Sequence, residues 1–169
     1  MRQETLFPTP RVKVYQLKSS IRTPALAFAG IAALGSLMMP FAGTLTTLDT
    51  MIGMAMFLAF GAFLAYYINY TQLLISTKGI EYRQIEYSIR TTWDNVERIG
   101  PVVSSVGLGI TEGLILHKPA VQARWILKWY ANIASRHIPL ASFASDWRDT
   151  EIGHDIKRYA PHLFTQEED

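Results

Sequence analysis

Pro24–Gly43 reads PALAFAGIAALGSLMMPFAG, and Met51–Tyr70 reads MIGMAMFLAFGAFLAYYINY. Neither stretch holds a charged residue or a histidine. About 20 such residues at 1.5 Å rise cross a hydrocarbon core of roughly 30 Å, so both read as membrane-spanning helices. The connection Thr44–Thr50 (TLTTLDT) allows only an antiparallel return, and its threonines and Asp49 place it in water or headgroups. Tyr66, Tyr67 and Tyr70 suit the headgroup level at the end of the second span. The first apolar run is too long for the core of a signal peptide and follows a mostly polar arm.

Sidedness follows from charge. Arg2, Arg11, Lys13, Lys18 and Arg22 precede the first span, Lys78, Arg83 and Arg90 follow the second, and the connecting loop has no lysine or arginine. The expected location is therefore the plasma (inner) membrane, with two spans and both termini cytoplasmic. Small residues recur at four-residue spacing, as in Ala25, Ala29 and Ala33, Ala55 and Ala59, or Gly61 and Ala65. Such faces let helices approach closely, within the hairpin or against a partner. With no ionisable residue in either span, the hairpin reads as an anchor or packing element and not as an ion path.

Over the whole chain 16 basic residues face 14 acidic ones, a net +2 with no basic run, so nucleic acid is not an expected partner. The absence of cysteine excludes disulfides, thiolate nucleophiles and cysteine-held metal or haem.

Beyond the second span the period changes from helical to alternating. Leu73–Thr77 is apolar and β-prone, Lys78-Gly79 reads as a turn, and Ile80 and Tyr82 begin an alternation. Ile85, Tyr87 and Ile89 alternate with the opposite parity, so a turn or bulge near Arg83-Gln84 must exchange faces, leaving Glu81, Glu86, Ser88 and Arg90 on the wet side. Trp93 precedes a polar turn, Gly100-Pro101 is expected to break the chain, and 102–113 has no clear assignment. Further strands are predicted at Leu114–His117 and Arg124–Trp129, around a Lys118-Pro119 turn. Thr150 is placed to cap a helix whose Ile152, Ile156 and Tyr159 share a face and which Ala160-Pro161 ends. The organisation expected is an arm (1–23), the hairpin (24–71), a small cytoplasmic domain (72–160) and an acidic tail (161–169).

The run Leu74-Ile75-Ser76-Thr77-Lys78-Gly79-Ile80, then Ile89-Arg90-Thr91-Thr92-Trp93-Asp94-Asn95-Val96, then a final amphipathic helix, resembles bacterial membrane proteins in which two transmembrane helices precede a pleckstrin-homology-like (PH-like) domain. The resemblance implies an α+β protein: a helical hairpin followed by a small, bent antiparallel β-barrel closed by a C-terminal helix, a scaffold that similar domains use to bind peptides, proteins or lipid headgroups. Phosphoinositide-binding relatives carry a dense basic cluster on the first two strands. Here Lys78, Arg83 and Arg90 are interleaved with Glu81 and Glu86, which speaks against that specificity.

Chemistry-bearing motifs are weak. His117, His137, His154 and His162 fit no metal-ligand spacing, and Asp146, Asp149, Glu151 and Asp155 lack the order of a calcium loop and suit a helix start. Gly107-Leu108-Gly109 is not a dinucleotide fingerprint, and Ser104, Ser105, Ser142 and Ser145 have no histidine at diagnostic spacing. No catalytic residue, metal or cofactor is expected. Trp93 and Trp147 are assigned to the core. Arg124, Trp125, Lys128 and Trp129 form either part of that core or a basic-aromatic surface; with Lys78, Arg83 and Arg90 they are the candidate contacts to lipid or partner. The expected role is an accessory or scaffold subunit docking to other integral membrane proteins or to itself. The alternative is a module for anionic headgroups or another small anion.

Overall fold

The computed structural model describes residues 12–38, 47–104, 109–123 and 136–165. The chain divides into two compact units, one formed by Leu17–Thr71 and the other by the sequence on either side of it.

The first unit is a pair of helices, α1 (Ser19–Met38) and α2 (Thr47–Tyr70). Both are long and apolar enough to cross a bilayer, and only 17% and 11% of their most apolar stretches are buried, unlike the core helices of a soluble domain. α1 begins at Ser19, earlier than the apolar run: the Lys18 carbonyl accepts from the amides of Ile21 and Arg22, and the helix continues through Pro24. α2 takes Thr47–Thr50 from the expected loop as its first turn, where Asp49 complements the helix dipole. The helices pack antiparallel: Arg22 donates to Asn69 at 3.2 Å, the rings of Phe28 and Phe60 meet edge-on at 6.1 Å, and Gly61 lies against Ala29.

In the second unit a five-stranded antiparallel sheet has the order β1 (Lys13–Gln16), β2 (Gln72–Ser76), β3 (Gly79–Arg83), β4 (Tyr87–Thr91) and β7 (Val121–Ala123). A second sheet holds β5 (Val96–Ser104), β6 (Gly109–Leu116) and β8 (His137–Pro139). The barrel expectation is corrected: the described strands form two separate sheets and no closed barrel. Two helices complete the unit, α3 (Glu151–Tyr159) and the short α4 (His162–Thr165).

Alternation decides which faces are buried. Leu73, Ile75, Ile80, Tyr82, Tyr87 and Ile89 point inward, and the turn between β3 and β4, closed by the Gln84 amide on the Tyr87 carbonyl, performs the predicted exchange of parity. Glu86 is half-exposed like Glu81 and Ser88, although its Oε2 is shut from solvent without a hydrogen-bond partner among the described residues. Gly79 has φ 155°, and a Cβ there would overlap the Thr91 carbonyl, so only glycine fits where β3 leaves the Thr77-Lys78 turn. Trp93 is buried as assigned, donating Nε1 to the Ser76 carbonyl at 3.0 Å and lying 6.0 Å from the Tyr159 ring. Trp147 is 1% exposed and donates to Glu112 at 2.7 Å.

Three further expectations change. Gly100-Pro101 does not break the chain: β5 runs through it, Pro101 being tolerated on an edge strand, and most of 102–113 falls in β5 and β6. Residues 13–16, assigned to the arm, form an edge strand with Tyr15 opposite Leu73. His162–Thr165, assigned to the tail, is helical because Leu163 is buried and Phe164 packs near Trp147. Thr150 caps α3 as predicted, its hydroxyl accepting from the Ile152 amide at 3.3 Å.

Candidate functional site

The two helices are built inside out. Ala29, Ala32, Ser36 and Gly61 are buried, whereas Phe28, Ile31, Leu34, Leu37, Phe57 and Phe60 are exposed. A Cβ on Gly61 would stand 3.0 Å from the Ala29 carbonyl oxygen, so small residues are what allow the close approach. Water drives large apolar side chains inward; here they point outward.

On the sheet, outward-facing residues fall into rows set by the register. Gln16, Gln72, Arg83, Ser88 and Gln122 form one row, and Val14, Leu74, Glu81 and Arg90 the next. Beyond them, at the Thr77-Lys78 turn, a groove of about 560 Å³ is lined by Lys78, Arg90, Thr92, Ser76, Glu81 and Val12, among others. Of the candidate basic residues the fold thus brings Lys78 and Arg90 to one groove, and neither side chain has an ion-pair partner among the described residues. Arg83 is separated from them, its Nε held by Glu81 at 2.6 Å. Arg124, Trp125, Lys128 and Trp129 lie outside the described residues, as does the strand predicted there.

The carboxylate cluster resolves into a structural junction. Asp155 on α3 receives Lys13 Nζ at 3.0 Å and the Tyr15 hydroxyl at 2.8 Å, and Glu151 lies 3.6 Å from Lys13. Burial, then the hydrogen bond to Asp155, pushes the Tyr15 phenol well above its ordinary range; the hydrogen bond to Asp155 leads the causes that raise Lys13. The sequence signal was present in Val12-Lys13-Val14-Tyr15-Gln16, a period-two run, but nothing local named its partner 140 residues away. A second junction has Glu112 accepting from Trp147 and Arg148, the Arg148 guanidinium at 2.6 Å. Ser104 and Ser142 hydroxyls bond each other at 2.9 Å. His117 lies 3.7 Å from Glu97, and no cluster of three or more metal-ligating side chains occurs among the described residues.

Comparison with known proteins finds no matching family model, no matching curated protein and no matching solved structure.

Proposed function

We propose that this is a non-enzymatic, membrane-anchored interaction protein. α1 and α2 cross the inner membrane as a hairpin with both termini in the cytoplasm, and the β unit acts as a PH-like docking module for other integral membrane proteins or a second copy. The observation that carries the reading is the inverted packing of the helices, small residues in and large apolar ones out, which suits hydrocarbon and not water. The positive flanks, Lys13, Lys18 and Arg22 before α1 and Lys78, Arg83 and Arg90 after α2, support the sidedness. Cross-linking in native membranes followed by mass measurement in mild detergent tests it. Discrete cross-linked species are expected; recovery solely as an isolated monomer would overturn the docking role.

A second reading, capture of an anion by the β unit, is favoured by the groove shared by Lys78 and Arg90. Removing either charge should weaken retention of an anionic ligand about fivefold, near 1 kcal/mol per basic group at a membrane surface. Native mass spectrometry of the full chain with phosphatidylglycerol or inorganic phosphate reads this. Retention that ignores K78Q and R90Q rules the groove out.

A further inference from the structure

We infer that Arg83 is a positioning residue for the Lys78–Arg90 groove: by holding Glu81 it keeps Arg90 open to a phosphate group, carried by a lipid headgroup or free in water. That role rests on the second reading, capture of an anion by the β unit. Glu81 on β3 and Arg90 on β4 are direct cross-strand partners on the outward face. The Arg90 amide donates to the Ala120 carbonyl at 3.1 Å, away from β3, so the two form a non-hydrogen-bonded pair, the kind whose side chains stand closer. Opposite charges so placed, with Cβ atoms about 4.5–5.5 Å apart, ordinarily attract each other across the strands. Here the carboxylate turns instead along its own strand to Arg83, whose Nε donates to Oε1 at 2.6 Å. No ion pair joins Glu81 to Arg90 among the described residues, and Arg90 is exposed.

The direction Glu81 takes sets the charge of the groove. Glu81 lines it together with Lys78 and Arg90, and no other charged side chain does so among the described residues. Held by Arg83, the carboxylate is already neutralised, and both Lys78 and Arg90 face the groove with their charge uncompensated. Swung across to Arg90, the same carboxylate would leave Lys78 alone. A guanidinium forked onto a carboxylate cannot present the same donors to a phosphate, and an ammonium by itself is a point charge without that fork. The Glu81 side chain is only 19% exposed, so its bond to Arg83 is less screened by salt than a fully exposed pair would be.

The full chain in mild detergent, with isotope-labelled arginine, tests this first without any ligand. Solvent exchange of the Arg90 Nε proton should slow several-fold in Arg83→Gln, as Glu81 takes Arg90, and return to the wild-type rate when Glu81→Gln is added. Retention of inorganic phosphate and of phosphatidylglycerol is then measured in separate arms by native mass spectrometry, which tells a free phosphate from a lipid headgroup. In the arm that the wild type retains, Arg83→Gln should lower retention about fivefold, as Arg90→Gln does, and Glu81→Gln with Arg83→Gln should restore it to within about twofold. Arg83→Lys, which can still hold Glu81, should stay near the wild type. An Arg90 proton that exchanges in Arg83→Gln as it does in the wild type overturns the inference and leaves anion capture standing. So does retention that falls in Arg83→Gln and stays low in the double variant, since Arg83 would then touch the phosphate itself. Retention in neither arm, or retention that ignores Lys78→Gln and Arg90→Gln, overturns both.

Discussion

The helix pair and the β unit follow opposite packing rules. In α1 and α2 the buried positions are Ala29, Ala32, Ser36, Gly61 and a single large apolar residue, Ile68, and most aromatic and branched side chains face outward; in the β unit Trp147, Tyr82, Leu73, Ile80 and Ile156 are enclosed and most charges lie outside. Burial in water is proportional to apolar area, so large side chains belong inside. In hydrocarbon that driving force disappears and close backbone approach takes over, favouring small residues. One chain carries both patterns, and the proposal that the helix pair spans a bilayer accounts for the difference.

The largest expected effect tests the water rule. Trp147→Ala removes a fully enclosed indole and its bond to Glu112, and should lower the stability of the β unit by about 3–5 kcal/mol, read as lost amide-exchange protection in β5, β6 and α3. Protection in α1 and α2 should be unchanged.

Gly61→Leu tests the other rule. It adds volume where a Cβ would already stand 3.0 Å from the Ala29 carbonyl, so the helix pair should weaken by about 1–3 kcal/mol in unfolding from mixed micelles. A hairpin unaffected by leucine at 61 would break the comparison.

Asp155→Asn sharpens the account of the β unit by unlinking β1 from α3. Loss of a charged acceptor for the Tyr15 hydroxyl should cost about 1.5–3 kcal/mol, with exchange protection falling first at 13–16. The same junction sets a pH dependence. Tyr15 and Lys13 both hold their protons more tightly folded than unfolded, so the folded state binds more protons at alkaline pH. Their stabilisation is complete below about pH 10 and is lost as pH rises beyond it. Denaturant titrations between about pH 9 and 12 should show that decline, with a shallower slope in the Asp155→Asn variant.

The smallest effect is predicted for Phe57→Ala. This outward-facing phenylalanine should change hairpin stability by less than about 0.5 kcal/mol, although the same truncation inside the β unit would be severe.

Much of this was readable before any contact was known. The two apolar runs, the alternation through Ile80, Tyr82, Tyr87 and Ile89, the core positions of Trp93 and Trp147 and the Thr150 cap are each properties of a short segment. The candidate surface was readable only as a set of basic residues. Lys78, Arg83 and Arg90 are equally polar in the sequence, and the register alone separates Arg83, beside Gln72 and tied to Glu81, from the two that share a groove.

Sequence by itself determined the class of each segment, because period and composition are local and the preferred solvent of a segment follows from them. The tertiary structure decided the pairings: β1 against β2, Asp155 against Lys13 across 142 residues, two sheets among the described strands, and Leu163 drawing the expected tail into the core. The physical reason is that an edge strand, a carboxylate or a leucine has many acceptable partners, and the choice among them depends on which groups folding brings within a few ångströms.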